Sequence, residues 1–456
     1  MDILKIVNKQ KAFFNYNSTK EINFRIETLK KLKHLLKENE DKLYIAIYSD
    51  FKKSEFETYL TELSLIYNEL NDVIRNLKKW SKQKSVRTNL ANFPSKSYII
   101  PEPLGTVLII SAWNYPYQLS LIPAISAIAA GNTVVLNPSE IPNNTSKILA
   151  QLINSNFDVN HLTVIEGGVE TTTELLQQKW DKIFFTGSTN VGKIIYKAAA
   201  ENLTPVTLEL GGKSPTFIFK DCDIKLTAKR IVWAKFLNAG QTCIAPDYLL
   251  VEKEIEIQLL KALHHQIELA YPISKKINEN YVQIINESHF QRLTNLIPTD
   301  RIYSGGEYNI EERVIHPTIL HNINFEDLIM KEEIFGPLLP VISFGNLDDV
   351  ISNVKKKEKP LALYIYSKNK KIINKILNEI SFGGGSINDS LVHLSNPNLP
   401  FGGVGASGIG NYHSKAGFDT FTHYKSILHK SFLFEPSIKY LPFTKLKRRI
   451  LKMLLE

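Results

Sequence analysis

Two cysteines among 456 residues, Cys222 and Cys243, leave no material for a disulfide framework and no spacing for a cysteine-ligated metal site. That scarcity favours a reducing compartment, and the cytoplasm is the expected location. No run of about eighteen apolar residues occurs, so no transmembrane helix is expected. The opening stretch MDILKIVNKQKAFF scatters charge through its apolar residues and lacks a signal-peptide core and cleavage site. The strand–turn–helix segment IFFTGSTNVGK does not carry the G-x-G-x-x-G spacing of dinucleotide folds. Aromatic-rich basic stripes are missing too, which sets nucleic acid aside as a partner. Internal repeats and low-complexity segments are likewise absent.

What remains is a globular composition, 43% hydrophobic and 22% charged. The chain exceeds the usual limit of a single core, so two or three domains are expected. Its net charge of +9 is uneven: the segment from Lys430 onward carries seven Lys/Arg against two Glu. Near the start, Ser18 and Glu21 have the spacing of a capping box ahead of Ile22, Ile26, Leu29, Leu32 and Leu36 at helical spacing. A second helix is predicted from about Glu55 to Trp80, with Leu60, Leu63, Tyr67, Leu70, Ile74 and Leu77 on one face. Ser97 to Pro103 is short and proline-bounded, and reads as an edge strand or hairpin outside the main core.

The rhythm then changes. GTVLIIS, NTVVLNP, LTVIEG and KIFFTG are β-branched runs separated by helix-like segments, one of them Leu119–Ala130 ending at Gly131. Alternation of this kind builds a parallel sheet covered by helices. VTLEL, PTFIF and DYLLVE open a second series that returns in LALYIYS, and a domain change is placed near Glu209 to Gly212.

Cys243 lies in GQTCIAPD among short residues that leave its sulfur approachable. Glu209 lies in TLELGGKSP, where Gly211 and Gly212 let the chain turn just past the carboxylate. A thiol and a carboxylate able to activate water are the parts needed to make and hydrolyse a thioester, although most such residues elsewhere have no catalytic role. In IFFTGSTNVGK, Gly187, Ser188 and Gly192 mark a strand–turn–helix junction whose exposed N–H groups suit a phosphate, or serve only as a βα loop. Asn114 in SAWNYP follows a strand, where its amide can face a developing oxyanion or simply form a turn before Tyr115-Pro116. Glu333 in EEIFGP suits a sugar hydroxyl or a solvated loop. Tyr115, Trp233 and Phe401 suit an apolar tunnel or core packing. Cys222 reads as a turn residue, and His393 and His413 receive no role.

Taken in order, PLGTVLIISAWNYP, GNTVVLNPSE, IFFTGSTNVGK, TLELGGKSP, GQTCIAPD, EEIFGP and LPFGGVGASGIG resemble the aldehyde dehydrogenase superfamily along essentially the whole chain. The short N-terminus and the ending GNYHSKAGFDTFTHYKSIL look like its class 3, fatty-aldehyde branch. The resemblance implies an α/β, aldehyde dehydrogenase-like fold. A Rossmann-type cofactor domain would take residues 1–84 and 104–208, and an α/β catalytic domain 209–410. Residues 85–103 and 411–456 would form a β oligomerisation element with a basic tail, and the assembly would be a homodimer. By carry-over, Cys243 is the nucleophile, Asn114 and the Cys243 backbone N–H hold the oxyanion, and Glu209 activates the hydrolytic water. Gly187, Ser188 and Gly192 would sit by the cofactor pyrophosphate, Asn137 and Glu140 by the adenosine ribose, and Glu333 with Phe335 by the nicotinamide side. Tyr115, Trp233 and Phe401 would face the substrate.

One departure stands out. The family usually has lysine before Pro-Ser-Glu, and Asn137 stands there in this chain. An amide carries no charge to pair with a 2′-phosphate, and Glu140 would repel one, so the preference tilts toward NAD, with NADP also open. The implied reaction is NAD(P)-dependent oxidation of medium- or long-chain aliphatic aldehydes, or aromatic ones, to acids. Two alternatives are an acylating enzyme that passes the thioester to coenzyme A, whose members typically lack the glutamate present as Glu209, and a catalytically silent binding protein on the same fold. In the tail, Leu446, Ile450, Met453 and Leu454 share one helical face and Lys445, Lys447, Arg448, Arg449 and Lys452 spread over the rest. That pattern suits either peripheral contact with an anionic membrane or packing on the protein.

Overall fold

The β-branched runs become the strands of two parallel sheets, in a computed structural model that describes residues 2–272 and 281–455. The first sheet contains β3 (Thr106–Ile110), β4 (Thr133–Asn137), β5 (Leu162–Val164), β6 (Lys182–Thr186), β7 (Val206–Glu209) and the short β17 (Gly408–Ile409), in the order β17-β7-β6-β3-β4-β5. Every residue of β3 to β6 is buried. Continuous apolar strands are what a sheet covered on both faces demands. From β3 the chain winds outward through β4 and β5, then returns to the other side of β3 with β6 and β7. The order therefore reverses between β3 and β6, and ligands bind at such a crevice beyond the carboxyl ends of the strands.

The second sheet has the order β10-β13-β14-β9-β8-β15-β16. Its strands are β8 (Pro215–Ile218), β9 (Tyr248–Glu252), β10 (Ile302–Ser304), β13 (Thr318–Leu320), β14 (Leu338–Phe344), β15 (Ala362–Tyr366) and β16 (Gly384–Ile387). All pairs are parallel except β10 with β13. A two-stranded hairpin of β11 (Tyr308–Asn309) and β12 (Val314–Ile315) lies apart. VTLEL, expected to open the second series, is β7 and pairs with β6 in the first sheet. Antiparallel β17 covers its other edge, pairing Gly408 with Glu209.

A third, antiparallel sheet joins β1 (Lys84–Val86), β2 (Ser95–Pro103) and β18 (Thr422–Lys430). β2 was expected at an edge, yet it is the central strand. β1 pairs only with Ser97–Ile99, so Pro101 and Pro103 lie where β2 has β18 alone as neighbour and need donate nothing on the other side.

Two helical expectations change. The capping box does not form: Ser18–Lys20 is a 3₁₀ turn, and Glu21 precedes Ile22–Glu38 without a side-chain cap bond. Buried Arg25 instead gathers the carbonyls of Thr19, Lys20 and Ala129. The second helix is broken into Glu55–Thr58, a π-helical turn Tyr59–Leu63, and Ser64–Trp80. The extra residue in that turn rotates the face, so Leu60 is 39% exposed while Leu63, Leu70 and Leu77 are fully buried. Helix Pro116–Ala130 is buried at every position and ends at left-handed Gly131, as expected.

Candidate active site

Cys243, Glu209, Glu333 and Asn114, singled out in distant motifs, come together around one turn. Glu209 ends β7 at 3% exposure, and neither carboxylate oxygen has a hydrogen-bond partner. Burial alone pushes its carboxyl well above the usual range. An ionisable group kept buried and unpaired costs stability, and groups of this kind cluster at functional sites.

Cys243 sits in the turn after helix Ile224–Phe236. Burial pushes its thiol up, and the nearby carboxylates of Glu333 and Glu209 push it further. The backbone N–H groups of Cys243 and Ile244 act in the opposite direction. The resting sulfur is therefore a thiol, and its activation needs a base at hand.

The loop before Cys243 is held by a web of amides. Asn238 and Ala239 are both left-handed, with φ of 54° and 51°. Asn238 Nδ2 donates to the carbonyls of Asn114 (3.0 Å) and Gln241 (3.1 Å). Asn114 Nδ2 donates one hydrogen to the same Gln241 oxygen at 3.1 Å. An amide nitrogen has two hydrogens, so the second is available to an oxyanion. Gln241 is itself locked, donating to the carbonyls of Asn238 and Gln283 and accepting from the N–H of Ile285. The Tyr115 hydroxyl meets Thr242 Oγ1 at 2.6 Å, and the residue is 7% exposed.

Glu333 approaches from the segment before β14. A Cβ on Gly211 would lie 1.9 Å from its Oε2, so glycine there makes room for the carboxylate. Its carboxyl is pushed up to about 8, first by burial and then by Asp247, against the Gly212 N–H, Lys213 and Lys235. The segment is fixed from below: Asp247 pairs with Lys213 and accepts from the Ile334 N–H, Lys213 holds the carbonyls of Ile329 and Glu332, and Arg292 holds those of Glu333 and Ile334. Fully buried Lys235 has no hydrogen-bond partner at Nζ, and burial lowers its ammonium to about 8. Phe335, left-handed at φ 51°, stacks edge-on to Trp113 at 5.4 Å.

The crevice between β3 and β6 fits a dinucleotide. Ser188 caps the helix Thr189–Glu201 and stands exposed at its N-terminus, with the helix N–H groups behind it. Gly187 donates its N–H to the Glu209 carbonyl at 3.0 Å, linking this turn to the candidate base. Gly192 is buried where a Cβ would strike Leu210. Exposed Glu140 lies against Gly168, whose Cβ would sit 3.2 Å from its Oε1. Asn137 is 2% exposed and turned inward, donating to the Ile165 carbonyl at 2.8 Å and accepting from Thr172 Oγ1 at 2.8 Å.

Among the candidate wall residues, Phe401 is partly buried and bridges Tyr412, with His393 stacked at 6.0 Å and His413 at 5.5 Å. Tyr412 is within electrostatic reach of Glu209 and Cys243, which ties this aromatic group to the centre. Trp233 is 39% exposed, at the surface of its helix rather than in a buried wall. Asn238, Gln241, Asp247 and Lys213 lie inside or beside the quoted motifs and were not singled out. The only signal was their density of amide and charge in otherwise apolar surroundings.

A sequence profile described as the aldehyde dehydrogenase family matches residues 1–427. The 4,4'-diaponeurosporen-aldehyde dehydrogenase of Staphylococcus aureus (strain NCTC 8325 / PS 47) is 47% identical over 435 residues, 95% of either chain. A mouse (Mus musculus) protein called aldehyde dehydrogenase, dimeric NADP-preferring, is 44% identical over 94% of this chain and 95% of its own. A solved structure described as the substrate-bound state of Staphylococcus aureus AldH superposes with a TM-score of 0.97 over 100% of both chains at 45% identity. The NAD-dependent aldehyde dehydrogenase of Sinorhizobium meliloti does so at 0.86, with 26% identity over 95% of this chain and 88% of its own.

Proposed function

This chain belongs to the aldehyde dehydrogenase family and oxidises aldehydes to carboxylic acids with NAD(P), and we propose from that premise a role for each group at the centre. The carrying observation is the buried Glu209 carboxyl, without a hydrogen-bond partner, within electrostatic reach of the half-buried Cys243 thiol. In its ionised form Glu209 accepts the proton of Cys243, whose sulfur attacks the carbonyl carbon of the aldehyde. The free hydrogen of Asn114 Nδ2 and the Cys243 N–H receive the oxyanion of the resulting thiohemiacetal. A nicotinamide held beside Glu333 and Phe335 would supply the two-electron acceptor for the hydride lost from the thiohemiacetal carbon, leaving a thioester on Cys243. Glu209, having passed the first proton to solvent, takes a proton from water, the hydroxide adds to the thioester carbon, and the Cys243 thiolate leaves as the acid is released. Tyr115 and Phe401 line the approach, with Trp233 at its outer end.

The cofactor residues divide along the crevice. Gly187 and Ser188 form the pyrophosphate turn, Glu140 lies at the adenosine side, and Glu333 with Phe335 at the nicotinamide side. Gly192, expected at the pyrophosphate, instead packs the helix on Leu210, and the inward-turned Asn137 uses its amide on Ile165 and Thr172. Exposed Glu140 and uncharged Asn137 support NAD over NADP. The expected result is a lower KM for NAD, and a lower KM for NADP would overturn it. The substrates we propose are medium- or long-chain aliphatic aldehydes, with aromatic ones as the alternative arm of a chain-length panel. Residues 1–84 with 104–208 and residues 209–410 serve as cofactor and catalytic domains, and the exposed β1-β2-β18 arm joins two copies. The dimeric state named for the mouse relative supports that reading.

No helix among the described residues is long and apolar enough to cross a membrane. The scarcity of cysteine supports a cytoplasmic setting, and the basic helix Lys445–Leu455 supports reversible contact with an anionic surface. Leu446 and Met453 on its apolar face are exposed, and the Leu454 side chain lies outside the described residues.

The mechanism is tested by Glu209→Gln, which should form the acyl-enzyme and stall its hydrolysis. Mass spectrometry after mixing with aldehyde and NAD should find the adduct on Cys243. Steady turnover without an adduct removes Glu209 from the mechanism, and near-normal turnover in Cys243→Ser removes the nucleophile.

A further inference from the structure

Beneath the catalytic centre lies a set of buried charges that the reaction itself does not use. Lys53 and Glu62 form an ion pair at 2.8 Å with both side chains 0% exposed. Removing two charges from water is costly, so a pair this deep has to be held by further contacts. Those contacts lead to the centre. The second carboxylate oxygen of Glu62 accepts from the N–H groups of Tyr117 (2.8 Å) and Gln118 (3.2 Å). It thereby caps helix Pro116–Ala130, whose own N-cap, Tyr115, makes no side-chain cap bond. Lys53 Nζ lies 4.1 Å from the centroid of the Tyr115 ring, and the Tyr115 hydroxyl reaches Thr242 beside the nucleophile. The loop containing Asn114 is thus clamped at its helical end.

Glu57, one turn before Glu62, reaches the other half of the centre. Its Oε1 accepts from the Asn238 N–H at 2.7 Å. Asn238 is the first of two consecutive left-handed residues, a conformation that side chains other than glycine disfavour and that persists only where the surroundings enforce it. From Asn238 the bonds run directly to the Asn114 carbonyl and the Gln241 carbonyl, two residues before Cys243. The π-helical turn Tyr59–Leu63 lies between Glu57 and the helix Ser64–Trp80, and Glu62 belongs to it. A regular helix would rotate Glu62 away from the Lys53 and Tyr117 partners that the inserted residue lets it meet.

We propose that Lys53, Glu57 and Glu62 are positioning residues that set the distance between the Asn114 amide and the Cys243 sulfur, one arm acting through Tyr115 and the other through Asn238. This rests on the roles given above to Cys243 and Asn114. Lys53, Glu57 and Glu62 reach the centre through Tyr115, Tyr117 and Asn238, so their effect falls on the geometry of attack. Displacement of a reacting group by about 1 Å can cost on the order of a hundredfold in rate.

The test compares Glu57→Ala, Glu57→Asp and Glu57→Gln in the full-length enzyme with saturating NAD. It reads kcat, aldehyde KM, melting temperature and the rate of carbamidomethylation at Cys243 by iodoacetamide, located by mass spectrometry. Glu57→Ala should lower kcat about tenfold or more with KM within about twofold, and should change the alkylation rate at Cys243. Glu57→Gln keeps an oxygen that accepts from Asn238 and should restore kcat to within about threefold of wild type. Glu57→Asp withdraws the carboxylate by one carbon and should fall between them, which decides the matter if Glu57→Ala fails to fold. Wild-type kcat in both Glu57→Ala and Glu57→Asp overturns the proposal, as does an equal loss in all three that follows only the fraction folded. Turnover surviving in Cys243→Ser would instead overturn the reading beneath it. A dead Cys243→Ser beside a fully active Glu57→Ala overturns the positioning role alone.

Discussion

At the scale of single residues, Glu209 ties the chemistry to stability. Its folded carboxyl titrates well above the ordinary value because burial disfavours the charged form, and no partner compensates. A raised carboxyl stabilises the fold fully below its unfolded pKa, and that contribution is lost as pH rises toward the folded one. Glu209→Gln carries no charge at any pH, so its melting temperature should gain on wild type steadily as pH climbs from 5 to about 9. Differential scanning calorimetry across that range checks this, and parallel curves would show that the folded carboxyl of Glu209 is not raised above its unfolded value. Both Cys243 and Glu209 were legible in the chain because each sits in a short motif of glycines and small residues. The partners that aim them were not. Glu57 meets Asn238 across 181 positions, and nothing in the periodicity around Glu57 distinguishes it from a solvated glutamate.

At the scale of elements, the approach of Glu333 to the turn after β7 makes a two-sided prediction. Gly211→Ala drives a methyl group into the Glu333 carboxylate, and overpacking of this kind costs about 1–3 kcal/mol. Thermal unfolding should show the loss. Adding Glu333→Ala should return most of it, because the colliding oxygen is gone. Additive losses in the double variant would mean that the strain lies in the backbone instead. Elements were read well where an apolar, largely β-branched or aromatic run fills the middle of a fully buried strand, as in β3, β4 and β6. Reading failed at the π turn, where one inserted residue shifts Leu60 off the buried face while leaving the pattern of leucines intact. It failed at Ser18 too, because Arg25 outcompetes the capping box for the local geometry.

At the scale of the whole molecule, the arm and tail can be separated. Full-length protein should scatter light as a dimer and co-sediment with anionic vesicles at low salt. Truncation after Tyr440 should lower vesicle binding and leave activity on a short soluble aldehyde unchanged. Equal sedimentation of the two discards the membrane contact, and loss of activity or dimerisation favours packing of the tail on protein. Truncation before Thr422 should do more, since it strips β2 of its partner along the whole register from Ser95 to Pro103 and should drive the chain into aggregates.

That register also governs the birth of the chain. β2 emerges first and waits for β18, and β7 waits for β17, because each partner is encoded far downstream. At about 5–20 residues per second, the roughly 320 residues between Pro103 and Thr422 take on the order of 15–60 s to translate. Through that interval a nine-residue strand presents open N–H and C=O groups on a nascent polypeptide, next to other copies on the same message. The arm cannot close before β18 leaves the ribosome, so the yield of native enzyme depends on whatever shields β2 until then.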